Sequence, residues 1–175
     1  MSLRRFLLIG HRWVGLVSAL VLAIVGATGV VLVWPEVTLV RRIAGRLHDT
    51  LALGPVGRWL VFAITIAAIL LELSGLILWW RRRAIRVRTR SGWKAFMNDL
   101  HHSAGVGGLL VMLLLASTAV GMATLTPRTE LRRTMARLHT TNGLPITVKI
   151  IFAAGSAAFV IQSVSGIAMW WRGRP

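Results

Sequence analysis

Five histidines, at positions 11, 48, 101, 102 and 139, carry most of the metal-ligating chemistry in this 175-residue sequence, which has no cysteine and only five acidic residues. The lack of cysteine excludes disulfides, thiolate metal sites, iron–sulfur clusters and covalent C-x-x-C-H haem attachment. Compared with itself at an offset of 91, the sequence brings His11 onto His102 and His48 onto His139. Two neutral imidazoles on opposite faces of one iron are the ligand set of a b-type haem. Zinc usually draws on three or four protein ligands, and no acidic cluster supplies them here. The pairs therefore predict two bis-histidine sites, His11 with His102 and His48 with His139, each holding a haem b. A lone histidine at a helix end is ordinarily an interfacial polar residue, and four of them in one repeat register weigh against that reading. His101 has no mate in this register. It reads as a bystander, as a group that carries a proton or supports a ligand, or as the ligand itself if its helix is rotated. No residue is assigned a catalytic role.

Neighbouring residues suit a flat, anionic ring. Gly15, Gly105, Gly107 and Gly108 lie within about two helical turns of His11 and His102 and leave room for it. Arg46 and Arg137, with Arg58 and Lys149, are placed to pair with propionates at one site, and Arg12 and Lys94 at the other. Glu72 falls inside an apolar run, where acids are costly and are functional candidates. Its repeat partner is Ser163, beside Gln162. Glu72 could take up a proton coupled to haem reduction, hydrogen-bond a ligand, or stay protonated against a neighbouring hydroxyl.

The elements that must position these residues are membrane helices. The chain is 55% hydrophobic and 15% charged, against roughly a quarter charged in soluble domains. Four runs, Trp13–Trp34, Gly57–Trp80, Ser103–Leu125 and Thr147–Trp171, reach the roughly 20 apolar residues that a helix needs to cross the hydrocarbon. The first is too long for a signal peptide and no A-x-A site follows it. Trp34, Trp79, Trp80, Trp170 and Trp171 mark the interfaces. Basic segments at Glu36–Thr50 and Arg128–Thr140 read as short interfacial helices. Small residues such as Gly26, Gly29, Ser74, Gly75, Ser165 and Gly166 read chiefly as close helix contacts.

The formal charge of +16 serves topology. The run Arg81, Arg82, Arg83, Arg86, Arg88, Arg90 and Lys94 places both termini and the middle loop in the cytoplasm. No DNA-binding motif is present and little chain lies outside the apolar runs, so nucleic acid is not an expected partner. Motifs for nucleotide, flavin, zinc-protease or serine-hydrolase chemistry are missing as well.

The offset of 91 also aligns Arg41–Arg42 with Arg132–Arg133, Ser74-Gly75 with Ser165-Gly166, and Trp79-Trp80-Arg81 with Trp170-Trp171-Arg172. The expected fold is an all-α integral membrane protein of two tandem helical hairpins, residues 1–90 and 91–175, forming one membrane domain. The hairpins start on the same side, which predicts a pseudo-two-fold axis along the membrane normal.

His11-Arg12-Trp13-Val14-Gly15-Leu16 followed by Gly26-Ala27-Thr28-Gly29 resembles the opening helix of the PepSY-associated transmembrane family. Gly57-Arg58-Trp59-Leu60, Ser74-Gly75-Leu76 with Trp79-Trp80-Arg81-Arg82-Arg83, and Asp99-Leu100-His101-His102 before Gly105 continue the likeness over nearly the whole chain. The resemblance implies a bacterial inner-membrane protein, with lipid contact, similar to haem-dependent reductases that pass electrons outward to ferric siderophores. It implies haem ligation by His11, His48, His139 and either His101, which follows Asp-Leu directly, or His102, which the repeat favours. Larger members carry periplasmic PepSY and soluble reductase domains, which this sequence lacks. Electrons would therefore come from a quinol or a separate soluble reductase. The rival expectations are a cofactor-free assembly or anchoring module and a small transporter component using Glu72.

Overall fold

The computed structural model describes residues 2–34, 38–80, 85, 87–90 and 92–171. Glu36, Arg81–Arg83, Arg86, Arg172 and Arg174 lie outside the described residues. Among those described, the chain forms six helices: α1 (Leu3–Leu32), α2 (Thr38–Thr50), α3 (Gly54–Trp80), α4 (Trp93–Thr124), α5 (Glu130–Thr140) and α6 (Ile146–Trp171). Helices α1, α3, α4 and α6 are long and apolar enough to cross a membrane, and the protein is an all-α, multi-pass membrane protein. Helices α1 and α4 each start ten residues before the expected spans. His11 and His101 therefore lie inside continuous helix rather than at its first turn.

The four long helices form a ring in the order α1, α3, α4, α6. Each packs on its two ring neighbours, which leaves α1 diagonal to α4 and α3 diagonal to α6. The short helix α2 packs on α1 and α3, and α5 packs on α4. The interior is built from small and polar side chains, among them Ser18, Ala19, Thr28, Ala68, Ala116, Thr118, Ala158 and Ser165, whereas Leu20, Leu70, Leu110 and Ile150 face outward. Lipid tails are as apolar as leucine, so burial of large side chains cannot drive these helices together; close backbone approach does. Several buried hydroxyls bond the preceding turn: Ser18 donates to the Val14 carbonyl at 2.6 Å and Thr28 to Ile24 at 2.7 Å.

The contact of α1 with α6 is the most extensive in the bundle. A Cβ at Gly26 would lie 2.8 Å from the Ser156 carbonyl oxygen, and one at Gly29 would lie 3.0 Å from Ser156 Oγ. Ninety residues on, α4 carries Ala116 and Ala119 instead, and its crossing with α3 is looser. In its most apolar stretch α3 has 11% of residues buried, against 39% for α6.

Two further contacts hold the site-bearing segments. Gly57 at the start of α3 lies so close to the end of α2 that a Cβ there would overlap the Thr50 carbonyl. Ahead of α4, Arg88 grips the buried Asp99 with its backbone N–H at 3.1 Å and its guanidinium at 2.7 and 3.1 Å, the bidentate geometry that suits a planar fork.

Candidate functional site

The five histidines gather at two ends of the bundle. At one end, His11 on α1 and His101 on the diagonal helix α4 hold their ring centroids 6.3 Å apart at 89°. Each is tied to the next spanning helix, His11 to α3 and His101 to α6. His11 Nδ1 bonds Ser74 Oγ at 2.9 Å. His101 Nδ1 bonds Ser165 Oγ and the Gln162 carbonyl, both at 3.1 Å. Gly75 and Gly166 lie against the rings: an added Cβ would sit a tight 3.3 Å from His11 Cε1 and in ordinary contact at 3.5 Å with His101 Cε1.

At the other end, His48 on α2 and His139 on α5 hold centroids 6.0 Å apart at 57°. His48 Nδ1 bonds the Val25 carbonyl at 3.0 Å and Thr28 Oγ1 at 3.1 Å. His139 Nδ1 bonds the Leu115 carbonyl at 3.0 Å and Thr118 Oγ1 at 3.1 Å. Burial lowers the pKa of His48, opposed by its bond to Val25. Burial and the neighbouring His48 bring His139 down to about 4, against the pull of Asp49. Burial raises the pKa of Asp49, which faces His139 and Arg58. Both imidazoles are thus neutral at pH 7, the form in which histidine ligates a metal.

The partners of Nδ1 fix the tautomer. A backbone carbonyl can only accept, so Nδ1 of His48, His101 and His139 must carry the proton. The Ser74 hydroxyl already donates to the Leu71 carbonyl at 3.1 Å, which makes His11 Nδ1 the donor in its bond as well. In each ring this leaves Nε2 as the nitrogen with an available lone pair, oriented from behind as metal-ligating histidines usually are. Metal–imidazole bonds run about 2 Å, and the ring centre lies roughly 1 Å beyond the nitrogen. Two imidazoles gripping one metal from opposite sides therefore hold their centroids about 6 Å apart, as both pairs do. Among the described residues no group of three or more His, Cys, Asp or Glu could hold a metal ion, so each pair could supply only two ligands.

A cavity of about 400 Å³ surrounds the first pair, within the usual range for small-molecule and cofactor sites. It runs from Arg4 on α1 inward to Leu22 and Phe159, and includes Gly15 and Gly105 beside the histidines. Gly107 and Gly108, expected to open the same space, do not line it: Gly107 has nothing within 4 Å, and Gly108 packs on Ala158 and Met112. Arg4 and Arg12 line the cavity. Arg46 and Arg137 are exposed near the second pair.

The ring that faces His11 is that of His101, where the repeat register favoured His102. His102 also lines the cavity, its ring 6.0 Å from that of His101 at 74°. The tertiary contacts explain the difference. His11 to His101 and Thr28 to Thr118 are 90 residues apart, whereas His48 to His139 and Ser74 to Ser165 are 91 apart. One extra residue falls between Thr118 and α5, so the uninterrupted offset of 91 misaligned α1 with α4 by one position. With the corrected register, Gly15 matches Gly105 and Arg12 matches His102.

Sequence reasoning did not single out Ser74, Ser165, Thr28 and Thr118 as partners of the histidines, or Gly75 and Gly166 as their backing. The repeated Ser-Gly pair was the available signal. The cavity lining is identical from half to half at His11 and His101, Gly15 and Gly105, Gly75 and Gly166, and Trp79 and Trp170; among the positions that differ, Leu71 and Glu72 on α3 stand where α6 has Gln162 and Ser163. Glu72 is 5% exposed. With its amide nitrogen facing α3, Gln162 donates to Glu72 Oε1 at 2.9 Å and accepts from the Gly105 N–H at 3.2 Å.

The PepSY-associated TM region matches residues 35–133 of this chain, a stretch that holds α2, α3, α4, His48, His101 and His102. No curated protein and no solved structure matches it. With more than half its length covered by that match, the chain belongs to the PepSY-associated transmembrane family.

Proposed function

We propose that this protein is a membrane cytochrome that holds two b-type haems, one between His11 and His101 and one between His48 and His139. In this reading it passes electrons from the cytoplasmic side to an extracytoplasmic acceptor such as ferric iron or a ferric siderophore. The observation that carries the proposal is the pairing itself. Two imidazole pairs, each drawn from both halves of the chain, stand at the centroid spacing of a doubly ligated metal with Nδ1 occupied. The first pair sits on diagonal helices around a cavity with glycine on its walls and arginine at its rim, which suits a flat ring with anionic propionates. Bound haem would supply one-electron chemistry. The residues of the chain would hold its axial positions, exclude water and set its potential.

Seen along α1, His11 and the Val25–Thr28 segment that touches His48 are roughly 23 Å apart. Two sites at those levels divide the crossing into two shorter electron steps. The basic termini and the basic segment between α3 and α4 fit a bacterial inner membrane with both termini cytoplasmic. A quinol or a soluble reductase fits as donor.

Reduced-minus-oxidised absorption spectra of the purified, folded protein test the reading, with two haems per chain expected. A folded preparation without a haem spectrum would leave an assembly or anchoring module as the better description.

A further inference from the structure

Among the described residues Glu72 is the one acid that lines the histidine cavity, and α6 has Ser163 at the matching position. A carboxylate buried in a membrane span is costly, and such a group persists when its charge or its proton is used. Among the described residues no lysine or arginine forms an ion pair with Glu72; its polar contact is the Gln162 amide, itself held by the Gly105 N–H. That bond joins α3 to the diagonal helix α6 across the cavity.

We propose that Glu72 is a proton-binding site coupled to the electron site between His11 and His101. The inference rests on the haem reading above. A ferric haem carries one more positive charge than a ferrous one. At the low effective dielectric of a buried site that charge favours the Glu72 carboxylate. When the ferric iron gains one electron from a quinol-class donor, the attraction weakens and Glu72 gains one proton: Fe(III) becomes Fe(II), –COO⁻ becomes –COOH, and the net charge of the pair is unchanged. Gln162 is a positioning residue that holds Oε1 through its N–H in either state. Other groups that face the cavity are Arg4, His11 and Arg12 from α1 and His101 and His102 from α4; α6 contributes the neutral Gln162 and Ser163. His48 and Asp49 on α2 lie at the opposite end. Two of the titratable groups, His11 and His101, would be held by the metal, and Glu72 is the acid among the cavity's described residues whose proton would follow the iron.

Sign and size follow from linkage. Reduction raises the carboxyl pKa, so protonation favours the reduced form. The midpoint potential of the haem at this end should fall as pH rises between the two pKa values of Glu72. The reduction equilibrium should change about tenfold per pH unit, or about 59 mV for one electron.

The test uses the full-length protein with haem bound, titrated potentiometrically across pH. His48→Ala removes the second haem so that one signal remains. The expected result is a sloping midpoint in that background and a flat one after Glu72→Gln, at or above the acid limit of the unsubstituted protein. Gln162→Leu, which copies Leu71, should move the sloping window while keeping the slope. The infrared difference spectrum of the unsubstituted protein should gain a carboxylic C=O band on reduction that shifts with ¹³C-glutamate. An unchanged slope in Glu72→Gln, or no such band, overturns the proton site while leaving the haem reading intact. A folded protein without haem overturns both.

Discussion

The two ends of the bundle present the same imidazole pair on different mountings. At the His11 end the rings project from the spanning helices themselves and are braced by serines of the next spanning helix. At the His48 end the rings ride on short amphipathic helices and reach into the bundle, to a threonine and a carbonyl one turn apart on α1 and α4. The first pair is therefore fixed by how long helices pack, and the second by whether α2 and α5 stay docked. Position on a spanning helix gives a cavity with shaped walls. Position on a docked helix gives a site that can be perturbed without disturbing the bundle.

Removing a ligand should separate the ends most sharply. His48→Ala is expected to abolish haem at its own end and leave His101-bound haem in place, halving the haem-to-protein ratio; His101→Ala should do the reverse. Equal loss of both haems from either change would show that the sites are not independent. Next in size is Gly57→Ala, whose methyl would overlap the Thr50 carbonyl. Forcing α2 from α3 should cost about 1–3 kcal/mol, seen as preferential loss of the His48-end haem and faster amide exchange in α2.

Acid should act on the same end of the haem-free protein. Burial and the neighbouring His48 bring docked His139 down to about 4 from the ordinary histidine value of about 6.5. A depressed docked pKa means that protons favour release. The docking of α5 should be fully stable above about pH 6.5 and weaken as pH falls toward 4, measured as loss of amide protection in α5. Thr28→Val and Thr118→Val each remove one hydrogen bond to a histidine while its carbonyl partner remains. We expect about 0.5–1.5 kcal/mol from each, as a lower melting temperature and a shifted potential at the His48 end alone. The smallest effect belongs to Gly107→Ala. The space around it is open, so a helix-interior methyl should be neutral or stabilise by up to about 1 kcal/mol, with both haem signals unchanged.

The bundle also differs between its halves where the repeat would have them alike. Gly26 and Gly29 bring α6 close to α1, whereas α4 has Ala116 and Ala119 at the matching positions and its contact with α3 is less extensive. The loosely packed helix is the one that carries Glu72. Sequence alone ranked Gly26 and Gly29 with Ser74, Gly75, Ser165 and Gly166 as contact positions. Which of them touch backbone is a matter of helix phase and crossing, and a list of residue types does not contain it.

Four apolar runs, two basic amphipathic segments and the histidines that pair across the halves were legible in the sequence, because span length, interfacial charge and repeat register are each local or one-dimensional properties. The ring that faces His11 was not. A single residue added between Thr118 and α5 turns α4 by about 100° relative to an ungapped alignment, which exchanges His102 for His101. Sequence left His101, which follows Asp-Leu, and His102, which the repeat favours, both open; the packed helices decide between them, because Ser165 and the Gln162 carbonyl accept the proton of the His101 imidazole. Tertiary structure likewise placed Glu72 against Gln162, two residues on diagonal helices that nothing in their linear order joins across the bundle.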